Sequence, residues 1–277
     1  MPYFFIVLFS LTLYFLYFKK VVLRRPPLGY PEGEYSSSGK IKMLCLGDSN
    51  THGNMSYDWV GQLRKELPDL TILNGGRNAD LTFTLLKRLE DNLKCNPDLV
   101  TLLIGTNDAN ARLNNQNEKR YRELGKITSE EKPDFENFKK NYISIIDKIQ
   151  TETKAKIALI SLPLITEDLN HPGNSITEEY SRFIQETANQ KNLDFLDFRT
   201  RQKQFLHEHS ETRWTYKNYR LMMDFATLLR NVFRLDWDQI SRAAGTETTP
   251  DFIHLNDTSG REIARLVSEW SRKYMTQ

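Results

Sequence analysis

The chain is poor in the residues that would point to a metal centre or a cross-linked scaffold. Two cysteines occur in 277 residues, Cys45 and Cys95. They build no disulfide framework: Cys45 lies inside an apolar strand pattern and Cys95 between a helix and the next strand, so both read as plain thiols. Histidine is also scarce, at His52, His171, His207, His209 and His254, and no Cys/His spacing has the form of a zinc site. An excess of either charge is missing too: 38 Lys and Arg against 36 Asp and Glu leave a net charge of +2, which gives no reason to expect nucleic acid as a partner. There is no internal repeat. The G-x-S-x-G elbow is absent, so the fold that usually accompanies it is not implied.

What is present begins at the N-terminus. Tyr3 to Phe18 is almost wholly apolar, broken by Ser10 and Thr12, and is followed by Lys19, Lys20, Arg24 and Arg25. At about 1.5 Å per residue the run is roughly 24 Å long, and lysine snorkelling extends it toward a bilayer's width. Aromatic residues at both ends suit the two interfaces. A cleaved signal peptide would want a basic start and a small-residue cleavage site, and neither is visible. Residues 1–25 therefore read as a single-pass membrane anchor. The basic residues follow the span, which favours a cytoplasmic domain over a periplasmic or extracellular one. Residues 26–40 are rich in Pro, Gly and Ser and read as a linker, leaving 41–277 for the domain.

Beyond the linker, strand and helix patterns alternate. Ile41–Leu46, Leu70–Leu73, Leu99–Ile104, Ile157–Leu162 and Leu193–Phe198 are short apolar runs. Between and after them come helical faces: Trp59 to Leu67, Leu81 to Leu93, a long one from Asp134, one around Ile176–Ile184, and a last one carrying Ile263 to Trp270. This alternation predicts a parallel sheet covered on both faces, with sites at the C-terminal ends of its strands. Two segments exceed ordinary connections. Asn110–Lys132 is polar and reads as a solvated loop. Arg201–Thr249 reads as a helical insertion whose Met222, Phe225, Ala226, Leu229, Val232 and Phe233 line one face, packed on the domain as an extra layer or serving as a lid.

Three blocks carry chemistry. Ser49, in Gly47-Asp48-Ser49, follows the first strand, where a hydroxyl meets free backbone N–H groups at the sheet's rim, although a helix-capping serine is the commoner duty. Asp251 lies three residues before His254, so its carboxylate can reach Nδ1, fix the tautomer and leave Nε2 toward a serine; otherwise the two are a surface pair of little value. Asn107 follows the third strand through Gly105 and can offer an amide to a developing oxyanion, or simply form a turn. Gly76, after the second strand, offers an unobstructed N–H or a tight turn. Taken together, nucleophile, base, orienting acid and donors are the parts that acyl transfer from an ester requires.

In order and content these blocks resemble those of the SGNH (GDSL) hydrolases, and the likeness spans about residues 41–270. The stretches Gly47–Gly53 and Asp251–Asn256 with Gly260 are similar to the bacterial esterase and lipase branch. The resemblance implies a flavodoxin-like three-layer α/β/α domain. It implies Ser49 as nucleophile, His254 as general base and then acid, and Asp251 as its orienter. The N–H groups of Ser49 and Gly76 and the Asn107 amide would form the oxyanion hole, with no cofactor. Arg77 and Ala79 stand where family members often carry an apolar residue and a glycine, and the insertion has no counterpart in compact members. Expected substrates are lipid, short acyl or acetylated-sugar esters, with thioesters open. The rival class is a membrane-tethered α/β binding or signalling module, non-catalytic or using Asp48 and Asp108 for a cation or a phosphoryl group.

Overall fold

The computed structural model describes residues 5, 7, 9, 10, 12–14, 16, 17, 24–32, 40–206 and 214–275. Five strands, β1 (Lys42–Gly47), β2 (Thr71–Gly76), β3 (Leu99–Leu103), β4 (Lys156–Ile160) and β5 (Asp194–Leu196), form one parallel sheet in the order β2-β1-β3-β4-β5. The central strands β1 and β3 are buried along their whole length and β4 from Ile157 onward, as a parallel sheet between helical layers requires, while the edge strand β5 is only partly buried. The helices are α1 (Ser49–His52), α2 (Trp59–Glu66), α3 (Thr82–Leu93), α4 (Thr106–Leu113), α5 (Asn115–Glu123), α6 (Phe135–Glu152), α7 (Pro172–Gln190), α8 (Phe198–Lys203), α9 (Tyr219–Val232), α10 (Trp237–Ala244) and α11 (Asp257–Met275). α3, α6 and α7 pack together in one layer; α11 packs with α2 and α8 in the other. Phe138 stacks on Tyr180 at 4.1 Å between ring centroids, joining α6 to α7. Both cysteines are buried and free, and burial pushes Cys45 up to about 12 and Cys95 to about 11.

The strand order reverses at β1, and register brings Gly47 opposite both Gly76 of β2 and Leu103 of β3. The carboxyl ends of these three strands therefore converge at the switch point, where a crevice must open. Gly105, with φ 130°, turns the chain out of β3 into α4, and a Cβ there would press on Phe138 at 2.8 Å.

Three segments differ from the sequence expectation. Residues 110–132 are largely helical, through the end of α4 and α5, and Tyr121 and Ile127 are buried with Leu81, Phe83 and Ala111. In the insertion, α9 buries Tyr219, Met222, Ala226 and Thr227, while Phe225, Val232 and Phe233 of the expected face are exposed; residues 207–213 lie outside the described ones. Residues 27–30 do not hang free: the Asn74 N–H donates to the Gly29 carbonyl at 2.9 Å and Arg64 Nη2 to the Leu28 carbonyl at 2.8 Å, so this segment lines the β2 edge. Among the described residues no helix is long and apolar enough to cross a membrane. The run 3–18 on which the anchor expectation rests lies partly outside them; its described residues are helical and expose Phe5, Val7, Phe9 and Leu13.

Candidate active site

Ser49 is the first residue of the one-turn helix α1. Asp48 caps it by accepting from the Asn50 N–H at 2.9 Å, so the capping duty that Ser49 might have served is taken by its neighbour. The Ser49 hydroxyl is instead within 2.9 Å of His254 Nε2, and His254 Nδ1 lies 2.6 Å from Asp251 Oδ2. Asp251 Oδ1 also accepts from the His254 N–H at 2.8 Å and the Ile253 N–H at 3.1 Å, so one carboxylate shapes the turn and orients the ring. Phe252, between them, takes a left-handed φ of 72°, an uncommon conformation for a bulky residue and a local strain at the site.

What docks this C-terminal loop against the Ser49 turn is Asn50. Its Oδ1 accepts from the Leu255 N–H at 3.2 Å, its Nδ2 donates to the Ile253 carbonyl at 3.3 Å, and its carbonyl accepts from Trp59 Nε1 at 2.8 Å. Ser56 reinforces it, accepting from the Leu255 N–H at 3.0 Å. Residues some two hundred positions apart are thus held in register by buried polar contacts, not by apolar packing alone.

The electrostatics follow from burial. Burial opposes charge on the His254 ring, but the Asp251 carboxylate, its hydrogen bond and Asp48 outweigh it and raise the imidazole above its ordinary value. Burial pushes Asp48 up to about 7 and Asp108 likewise to about 7. Both Asp108 oxygens accept from the Thr82 N–H, and Oδ1 accepts from the Thr82 hydroxyl at 2.6 Å, which makes this residue a buried anchor for α3. Among the described residues no group of three or more His, Cys, Asp and Glu is placed to hold a metal ion.

Asn107 reaches the same crevice. Its Nδ2 donates one proton to the Asp80 carbonyl at 2.9 Å, and its Oδ1 accepts from the Tyr121 hydroxyl at 2.6 Å. Burial pushes the Tyr121 phenol far up, and this hydroxyl already accepts from Asn110 Nδ2 at 3.0 Å, so its single proton goes to Asn107. The amide is thereby fixed with Oδ1 away and the second Nδ2 proton available. Behind Tyr121, Asn110 Oδ1 accepts from Asn117 Nδ2 at 2.7 Å and from the Tyr216 hydroxyl, and Asn117 Oδ1 accepts from the Tyr219 hydroxyl at 3.2 Å. Tyr216 and Tyr219, stacked at 4.9 Å, come from the insertion.

Gly76 departs from expectation. Its N–H donates to Asn74 Oδ1 at 2.9 Å and is not free for a ligand, and a Cβ at this position would collide with the His52 backbone nitrogen. The glycine serves the close approach of β2 to α1. Ala79, three residues on, lines the crevice with a left-handed φ of 60°. Neither its N–H nor that of Ser49 has a protein acceptor among the described residues. The crevice opens into a cavity of about 730 Å³ whose wall includes Ser49, His254, Asn107, Met55, Met223 and Ile253. Sequence reasoning missed Ala79, Tyr121, Asn110 and Asn117; the Asn-rich run 107–117 was the available signal.

Comparison with known proteins was informative at two levels. Residues 45–261 match the family model described as the GDSL-like Lipase/Acylhydrolase family. Solved structures with the same fold include an acetyl xylan esterase, AlAXEase, with a TM-score of 0.54 and 21% identity over 84% of this chain and 99% of that one. The lipase/acylhydrolase from Enterococcus faecalis has a TM-score of 0.54 and 17% identity, covering 83% of this chain and 94% of its own. The acetyl xylan esterase Axe2 from Geobacillus stearothermophilus, in one variant, has a TM-score of 0.54 and 17% identity over 86% and 94%. Among curated proteins no sequence matches this chain.

Proposed function

The chain belongs to the GDSL-like lipase/acylhydrolase family and is a carboxylic ester hydrolase, and on that premise we propose that it works through an acyl-enzyme on Ser49. The observation that carries this reading is the hydrogen-bonded line Asp251–His254–Ser49, at 2.6 and 2.9 Å. Ser49 Oγ attacks the ester carbonyl carbon while His254 Nε2 takes its proton; the resulting imidazolium is stabilised by Asp251. The tetrahedral oxyanion is held by the Ser49 N–H, the free Asn107 Nδ2 proton and the Ala79 N–H, the last in place of Gly76. Collapse breaks the bond to the leaving oxygen, which His254 protonates. Water then attacks the acyl-enzyme with His254 again as base, and Ser49 regains its proton.

The substrate is an ester of a lipid, a short acid or an acetylated sugar. The mixed wall, with Met55, Met223 and Ile253 beside Asn107 and His254, suits an acyl group next to a polar leaving group. Attachment to a membrane through residues 3–18, with the domain on the cytoplasmic side, belongs to the same proposal and rests on the apolar run and the basic residues after it. Fractionation of the full chain with alkaline extraction reads the attachment, and protease protection reads the side. A soluble chain overturns it.

The testing experiment is hydrolysis of p-nitrophenyl esters from acetate to palmitate by the full chain with EDTA present. Hydrolysis that peaks at one chain length is expected, and the position of the peak separates deacetylase from lipase use. Loss of activity with EDTA, or none at any length, counts against the proposal.

A pH dependence follows from the His254 environment. The base must be neutral to accept the serine proton, and its folded-state affinity for a proton is raised by Asp251. The acid limb of kcat/KM is therefore expected above that of free imidazole, with activity rising as pH increases through it. In Asp251→Asn the limb moves to lower pH while the plateau falls by roughly 10⁴-fold, because the wrong tautomer is favoured. A pH–rate profile whose acid limb does not move in that variant counts against the pairing.

A further inference from the structure

The cavity wall carries more positive charge than the chemistry uses. Arg24, Arg25, Arg77, Arg120 and Lys126 line it, against Asp224 as the one acidic side chain on the described wall. Lys126 is committed, at 2.7 Å from Asp80 Oδ1, and shares that carboxylate with Arg88, 2.7 Å from Oδ2. Asp224 is itself engaged. Arg77 lies over the Tyr30 ring at 5.1 Å, a contact that holds the guanidinium without neutralising it. Arg77 and Arg120 form no ion pair with a described residue. They come from separate elements, the turn after β2 and helix α5, and both line the cavity that Ser49 and His254 also line.

His52, only 7% exposed, lines the same cavity. Burial first, then Arg77 and Arg88, push this ring down to about 4, so it stays neutral and registers the positive field of the crevice.

We propose that Arg77 and Arg120 form a subsite for an anionic group, a phosphate or carboxylate, carried by the ester substrate. The inference rests on the ester-hydrolase reading and narrows it to amphiphilic or polar esters that bear a fixed negative charge. Guanidinium groups suit this task because they hold oxyanions through paired N–H donors in a fixed fork. The anion serves to anchor the ester; the reacting carbonyl remains with Ser49.

The test compares 1-butyrylglycerol with 1-butyrylglycerol 3-phosphate, which differ by the phosphate alone. The full chain is expected to favour the phosphate ester by about tenfold or more in kcat/KM at low salt, through KM, with the preference shrinking as ionic strength rises. In the double variant Arg77→Gln, Arg120→Gln the ratio should fall to within about threefold, and Arg77→Lys, Arg120→Lys should retain part of it. The same pair, titrated calorimetrically onto Ser49→Ala protein, should show the preference in Kd without any turnover. A ratio near one, or one unmoved in the glutamine variant, overturns the subsite even if Ser49-dependent hydrolysis is robust. Absence of hydrolysis with the preference in Kd intact overturns the ester-hydrolase mechanism and leaves the anionic subsite standing.

Discussion

Ser49→Ala is expected to abolish ester hydrolysis, lowering kcat by roughly 10⁴ to 10⁶-fold, and His254→Ala to do the same. The reason is that in the proposed mechanism the two side chains act as one unit. Ser49 Oγ meets His254 Nε2 at 2.9 Å, and without either atom the other has no part in the step. The double variant should therefore cost little more than either single change, the signature of a shared transition-state role. The folded state should feel Ser49→Ala only slightly. Its hydroxyl has that single side-chain partner, and the turn around it is held by Asp48 and Asn50. A melting temperature within a few degrees of the unaltered chain is expected. His254→Ala is a harsher change, since it opens a buried space, so the serine variant is the cleaner probe. Hydrolysis of p-nitrophenyl butyrate and a thermal melt on the same samples read both quantities. Additive losses in the double variant would show that the residues act separately, and an active Ser49→Ala protein would remove the acyl-enzyme.

Most of what places these atoms was visible before any coordinates. The five strands are short, nearly continuous apolar runs, and in a two-sided parallel sheet such runs have nowhere else to go. Their alternation with helices carried the topology, and the topology put residues 49 and 107 at one rim. Asp251 and His254 were legible because their spacing is short enough for one turn to join them. The rest was hidden for identifiable reasons. Residues 110–121 look solvated because much of their buried side is polar: Asn110, Asn117 and Tyr121, with Asn107 before them, satisfy one another by hydrogen bonds and leave no apolar period to detect. On α9 the buried stripe includes Thr227 and the small Ala226, so an apolar pattern gives undue weight to Phe225 and to Phe233 just past the helix end, which face out. Gly76 was a natural choice for a backbone donor because glycine signals open backbone. The left-handed residue on the cavity wall is Ala79, whose conformation comes from tertiary context that residue type does not announce.

That hidden network leads to the second large effect. On the proposed mechanism Asn107→Ala removes one oxyanion donor and should lower kcat by roughly a hundredfold or more, with KM little changed, because the bond is made chiefly in the transition state. Tyr121→Phe keeps Asn107 but takes away the hydroxyl that fixes it. The Asn107 Oδ1 then loses its donor at 2.6 Å, Asn110 Nδ2 loses an acceptor at 3.0 Å, and the amide is free to turn its oxygen toward the developing charge. A loss in kcat of about tenfold is expected, with a stability cost of about 1–3 kcal/mol for the buried groups left unpaired. The two effects separate in the double variant: if Tyr121 acts through Asn107, adding Tyr121→Phe to Asn107→Ala should leave kcat where Asn107→Ala put it, while stability still drops. A purely structural tyrosine would lower kcat by the same factor in either background. Tyr216→Phe, two hydrogen bonds further out in the insertion, should show a smaller loss in kcat that also disappears once Asn107 is gone. That graded series would make the insertion part of the oxyanion machinery, because its two stacked tyrosines close the far end of the chain of hydrogen bonds that aims the Asn107 amide.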